Sequence, residues 1–127
     1  MLKGGFILVK ILVIDDSLFQ RKIISGILTE NGYQVTLAVN GKEGIEHVEK
    51  EQPDLILTDL LMPEYDGYWV LEQLKVQKRA IPVIIFTSDI QTTTEKRCRE
   101  LGVVAFLNKP VDKKQMISTI QNALKRS

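Results

Sequence analysis

Cysteine occurs once in this 127-residue chain, at Cys98, and histidine once, at His47. A lone thiol excludes an intramolecular disulfide and a zinc site built on several cysteines. It also fits a reducing compartment, so the cytoplasm is the expected location. An excess of one charge is missing too. Seventeen basic residues stand against sixteen acidic ones, with no Lys/Arg block to act as a footprint for nucleic acid, so direct nucleic-acid binding is not expected. Long apolar runs are absent. The stretch from Phe6 to Ile14 is broken by Lys10 and falls far short of the roughly 20 residues that a membrane span needs. No transmembrane or secretory segment is therefore read.

What the chain does have is a recurrence of polar residues, each placed just after a short apolar run. Asp15-Asp16 follow Ile11 to Ile14, Asp59 follows Leu55-Ile56-Leu57, Thr87 follows Val83 to Phe86, and Lys109 comes soon after Val103 to Leu107. Buried parallel strands read as continuous apolar runs, and ligands of open α/β sheets bind outside the carboxyl ends of the strands. The chain is of the usual size for one domain, 1–127 with a core of about 9–126.

Between the apolar runs lie stretches of helical period, so the pattern is βα repeated five times. The strands are expected at about Val9 to Ile14, Tyr33 to Val39, Leu55 to Thr58, from Val83 after Pro82, and through Val103 to Leu107. The first helix carries Ile23, Ile24, Ile27 and Leu28 on one face and stops at Asn31-Gly32. The second opens at Asn40-Gly41 and carries Ile45 and Val48. Asp66-Gly67 introduces the third, with Val70, Leu71 and Leu74 facing inward. The fourth, about Thr92 to Leu101, is polar and ends at Gly102. The fifth, about Lys113 to Lys125, places Met116, Ile117, Ile120 and Leu124 at helical spacing. Alternating elements with short connections imply right-handed crossovers and a parallel sheet covered on both faces, a doubly wound α/β fold. His47 falls in a polar stretch and is expected on the surface. Trp69 is expected to face outward, either as a partner contact or packed on a neighbouring loop.

Asp15-Asp16, Asp59-Leu60-Leu61-Met62-Pro63 with Asp66-Gly67, Thr87-Ser88 and Asn108-Lys109-Pro110 together resemble the receiver domain of bacterial two-component response regulators, over essentially residues 9 to 126. Each signal alone has a bland explanation: Asp as a helix cap, Asp59 as a turn former, Thr as a strand former, Lys-Pro as a solvated loop. Their occurrence in order at successive strand ends is what separates them from chance.

The resemblance implies a flavodoxin-like sheet of order 2-1-3-4-5, which makes strands 1 and 3 neighbours at the switch point and brings Asp15, Asp16 and Asp59 together. Crowded carboxylates repel one another, so a raised pKa or a bound cation is expected. An all-oxygen set favours Mg²⁺ or Mn²⁺. The resemblance further implies that Asp16, Asp59 and the Leu61 backbone carbonyl ligate the ion while Asp15 acts mainly through a bound water. Asp59 would accept a phosphoryl group from a phosphohistidine on a sensor histidine kinase or histidine phosphotransfer protein. Lys109, the Thr87 hydroxyl and backbone N–H groups near Leu60 and Ser88 would face the transferred oxygens. Thr87 would then move inward with Phe106 following, although Phe106 is equally expected as plain core. The Lys109-Pro110 bond would be cis.

Two positions depart from the family pattern: Leu61 is apolar where it would slow entry of the hydrolytic water, and Ser88 stands where Ala is common. The output face would be that of helix 4, strand 5 and helix 5, with Thr92, Thr93, Lys96, Arg99, Lys113 and Lys114, a basic bias that suits an acidic downstream protein. No output domain is read in this chain. It is expected to act alone by docking or as part of a longer regulator, as a monomer or as a phosphorylation-dependent dimer. Three alternatives stand beside this reading. One is a degenerate receiver serving only as an interaction module. Another is an Asp-nucleophile phosphatase, disfavoured because Leu61 cannot transfer protons. The third is a flavodoxin-like cofactor binder, disfavoured by the charges in Asp15-Asp16-Ser17.

Overall fold

The computed structural model describes residues 2–3 and 6–125. Arg126 and Ser127, at the end of the expected core, lie outside the described residues. Two short strands, Leu2–Lys3 and Phe6–Ile7, pair antiparallel ahead of the main sheet. The sheet then builds as β1 (Lys10–Ile14), α1 (Leu18–Glu30), β2 (Gln34–Ala38), α2 (Gly41–Glu51), β3 (Leu55–Thr58), α3 (Gly67–Val76), β4 (Val83–Thr87), α4 (Thr92–Glu100), β5 (Ala105–Asn108) and α5 (Lys113–Lys125). All neighbours in this sheet are parallel and the order is β2-β1-β3-β4-β5, the expected 2-1-3-4-5.

Because side chains alternate across a strand, each apolar run serves two cores at once. Leu12, Ile14, Ile56, Val83 and Ile85 face one side and pack with Ile45 and Val48 of α2, Val70, Leu71 and Leu74 of α3, and Cys98 of α4. Ile11, Val13, Leu55, Leu57, Ile84, Phe86 and Leu107 face the other, against Ile24 and Leu28 of α1 and Met116, Ile120 and Ala123 of α5. Full burial of one such side chain is worth about 1.5–3 kcal/mol, which explains why the strands have no room for polar residues until their ends. β2 is an edge strand and only partly covered; its Leu37 is exposed.

Helix starts are set by local chemistry. Ser17, Asn40 and Asp66 cap α1, α2 and α3 by accepting from the N–H of Gln20, Glu43 and Trp69. Gly102, with φ of +97°, turns the chain after α4 in a conformation that side chains rarely adopt. α4 has no side-chain cap from Gln91, and Cys98 is its only fully buried residue. No described helix is long and apolar enough to cross a membrane.

Trp69 takes the second of its two expected settings: it packs on the neighbouring loop, its ring edge-on to Tyr65 with centroids 4.9 Å apart, and is partly buried against the α2–α3 core. Two expectations are corrected. His47 is half-buried where a surface position was expected, and its Nδ1 is enclosed without a partner among the described residues. The strand expected through Val103 starts only at Ala105: the Val103 N–H still donates back to the Cys98 carbonyl at the end of α4, while the Val104 N–H already donates to the Val83 carbonyl of β4.

Candidate functional site

Strand register does most of the positioning. Ile14 of β1 pairs with Thr58 of β3, so Asp15 and Asp59 leave adjacent strands side by side. Thr87 of β4 pairs with Asn108 of β5, which sets Lys109 beside Thr87, and the Lys109 N–H donates to the Thr87 carbonyl at 2.8 Å. The four strand-end groups therefore meet because apolar runs of similar length end in register.

Asp15 and Asp59 are buried while Asp16 is exposed. Carboxylate oxygens of all three lie within 4.8 Å of one another. The Lys109 ammonium donates to Asp59 Oδ2 at 3.0 Å and to Asp15 Oδ2 at 3.2 Å. Asp59 Oδ1 accepts from the N–H of Leu60 at 2.7 Å and from that of Leu61 at 3.4 Å. Asp15 Oδ1 accepts from the N–H of Ser17, and its backbone carbonyl accepts from Arg21 Nη1 at 2.7 Å, which ties the loop to α1.

Burial pushes the Asp59 carboxyl above its ordinary value, and the nearby charge of Asp15 adds to this; the hydrogen bond and charge of Lys109 and the Leu60 N–H pull the other way and do not win. Burial pulls on Lys109 in the opposite sense, but hydrogen bonding and charge from Asp59, then Asp15, hold its ammonium above the usual lysine value. Both members of the pair are thus raised. For Asp59 lost hydration dominates; for Lys109 two carboxylates outweigh it.

The donor set fits a hard divalent cation. Three carboxylates converge with a single ammonium among them, no His or Cys belongs to the cluster, and the Leu61 carbonyl accepts no hydrogen bond from any described residue. Gly67 makes the cluster possible from below. A Cβ there would stand 2.8 Å from the Asp59 carbonyl and 2.9 Å from the Leu60 Cα, so only glycine lets the start of α3 approach this loop.

Of the other expected residues, Thr87 is buried and its Oγ1 accepts from the Asp89 N–H at 3.3 Å, while Ser88 is exposed. Phe106 is half-buried against the α3–α4 core. The Lys109-Pro110 bond is cis. Thr92, Thr93, Lys96, Arg99, Lys113 and Lys114 are all exposed, but Arg99 pairs with Glu95 and Lys113 with Glu30, which weakens the expected basic bias. Sequence reasoning did not single out Asp89, whose bonds order the β4–α4 loop. Its signal was an Asp two residues before Gln91 at the start of the polar fourth helix, the spacing of an Asx turn, and the Gln91 N–H does donate to Asp89 Oδ1.

The sequence matches the response regulator receiver domain over residues 11–121. It is 35% identical to Protein PilH of Pseudomonas aeruginosa over 117 residues, covering 91% of this chain and 97% of that one. Sporulation initiation phosphotransferase F of Bacillus subtilis is also 35% identical, with 92% of this chain and 91% of that protein covered. Other matched relatives are longer regulators, of which this chain spans about a quarter. Among solved structures, a response regulator receiver domain protein from Clostridium thermocellum superposes with a TM-score of 0.87 at 30% identity, covering 94% of this chain and 96% of that one. With the sheet order and the strand-end cluster already in place, these matches establish that the chain belongs to the response regulator receiver domain family.

Proposed function

We propose that Asp59 accepts a phosphoryl group from a phosphohistidine on a sensor histidine kinase or histidine phosphotransfer protein, in a Mg²⁺- or Mn²⁺-dependent reaction, and that this changes the surface of α4, β5 and α5. The observation that carries the proposal is the Lys109 ammonium bridging two buried carboxylates, Asp59 at 3.0 Å and Asp15 at 3.2 Å. A lysine placed this way is a preorganised charge for an anion that arrives at Asp59.

An aspartate attacking a phosphoryl group is one anion approaching another. Asp15, Asp16, Asp59 and the Leu61 carbonyl would hold the metal ion, which supplies positive charge toward the transferred oxygens. Asp59 forms the new O–P bond while the P–N bond of the donor breaks and its electron pair stays on the imidazole. Lys109 leaves its contact with Asp59 Oδ2 to face the phosphoryl oxygens, and the Thr87 hydroxyl and the Leu60 and Ser88 N–H groups donate to them. Phe106 then has room to repack. Because it carries no hydroxyl, the change is one of packing.

Around this site the first turn of α1 presents Leu18 and Phe19, and the loops after β3 and β4 present Leu61 and Ile90, each more than half exposed. Such a rim suits a partner protein that must exclude water during transfer. That the Bacillus subtilis relative is named a phosphotransferase supports a transfer role. The protein is proposed to work in the cytoplasm, without direct nucleic-acid or membrane contact, as a monomer or a phosphorylation-dependent dimer.

Acetyl phosphate with Mg²⁺ tests this reading by intact mass. Wild type gains one phosphoryl group, EDTA prevents the gain, and Asp59→Asn does not gain it. A wild type that takes up neither phosphate nor beryllofluoride would instead be a degenerate receiver acting only as an interaction module.

A further inference from the structure

The buried Thr87 hydroxyl touches the β4–α4 loop through one residue. Its Oγ1 accepts from the Asp89 N–H at 3.3 Å, Asp89 Oδ1 accepts from the Gln91 N–H at 2.9 Å, and Asp89 Oδ2 accepts from the Thr94 hydroxyl at 3.0 Å. The Asp89 carbonyl also accepts from Asn108 Nδ2 at 3.3 Å, at the end of β5. Asp89 thus joins β4, β5 and the first turn of α4.

α4 depends on this junction more than the other helices depend on their caps. Gln91, its N-cap, makes no side-chain cap bond, so the Asp89 carboxylate two residues earlier satisfies the start of the helix instead. Cys98 is the one fully buried residue of α4 and, like Arg97 which stacks on Tyr68, it lies toward the far end of the helix. A helix start held by a few hydrogen bonds and little apolar burial has low local stability.

We propose that Asp89 is a positioning residue that couples the Thr87 hydroxyl to the first turn of α4. This deepens the reading of Thr87 as a group that turns toward a phosphoryl on Asp59, and rests on it. A hydroxyl has one donor and a limited reach, so when Oγ1 turns to that phosphoryl the Asp89 N–H loses its acceptor. Asp89 then shifts, and the shift is passed to Thr94 and Gln91 because its carboxylate holds both. The first turn of α4 responds even before any aromatic on β5 repacks.

Amide hydrogen exchange of the full chain across Thr92 to Lys96, with and without beryllofluoride and Mg²⁺, reads the coupling. In wild type, exchange there changes severalfold on adding beryllofluoride. In Thr94→Val, which keeps the shape and removes the donor, it is already fast and responds less than twofold, although the Leu60 amide still reports beryllofluoride at Asp59. Thr94→Ser restores the donor and the response. A Thr94→Val protein with the full wild-type response overturns the coupling through Asp89 and leaves the phosphoacceptor reading intact. A wild type in which the Leu60 amide does not respond overturns both.

Discussion

Lys109 Nζ donates to Asp59 Oδ2 across 3.0 Å between residues fifty apart in sequence, and the same ammonium reaches Asp15 at 3.2 Å. The lysine therefore serves two opposing ends in the resting protein. It offsets carboxylate repulsion, and it competes with any cation drawn to the same oxygens.

Lys109→Ala separates these effects. Mg²⁺ affinity measured by calorimetry is expected to hold or rise, because a competing charge is gone, while phosphoryl uptake from acetyl phosphate falls by roughly 100-fold, as for loss of one preorganised charge. A loss of Mg²⁺ affinity matching the loss of uptake would contradict the assignment. Lys109→Arg is not expected to restore uptake, since a planar fork cannot stand in for a compact ammonium.

Asp59→Asn tests the stability cost of the site. The folded protein holds the Asp59 carboxyl above its ordinary 3.8, chiefly by burial, so the folded state binds that proton more readily than the unfolded chain. The stability linked to this proton is complete below pH 3.8 and is lost as pH rises through the folded-state pKa. The melting temperature of Asp59→Asn relative to wild type is therefore expected to climb as pH rises above 3.8 and then to level off. A difference that shrinks with rising pH would refute the direction. Added Mg²⁺ should narrow the gap by stabilising wild type alone.

Leu61→Asn addresses how long the phosphoryl group lasts. Leu61 is exposed beside Asp59, and its own N–H reaches Asp59 Oδ1 at 3.4 Å. An amide there would orient a water that an isobutyl group cannot, and dephosphorylation is expected to speed up by roughly three- to tenfold, about 1 kcal/mol of barrier. Loss of the phosphoprotein mass over time checks it; equal rates would sink the role given to Leu61.

Gly67→Ala probes the support beneath the site. The new Cβ would press on the Asp59 carbonyl and the Leu60 Cα, both backbone, which cannot give way as a flexible side chain would. Stability is expected to fall by about 1–3 kcal/mol in chemical denaturation, with slower uptake at Asp59 because its loop is displaced. A stable variant with normal uptake would show that α3 can retreat freely.

The fold was legible in the sequence because parallel strands buried on both faces must be apolar throughout. That same demand leaves polar residues only at strand ends, where Asp15, Asp59, Thr87 and Lys109 stand out. Positions that lie on helix surfaces were harder to read. His47 is half-buried at a position whose polar sequence neighbours read as surface, and for Trp69 helical periodicity alone did not choose between a partner and the loop it packs on. Asp89 was missed because its importance lies in hydrogen bonds across a turn, where one short polar residue looks like any other. The boundary of β5 slipped for a related reason: Val103 is buried in the same core as Val83 and Ile85 while its N–H bonds back to Cys98, so its apolar character read as strand.

Of the nine residues of α4 only Cys98 is fully buried, with Arg97 beside it stacked on Tyr68. Substitutions elsewhere on its exposed face thus carry little folding penalty. With α4 as the proposed docking face, a lineage can revise its partner while the acidic cluster and both cores stay as they are, so specificity can drift faster than chemistry.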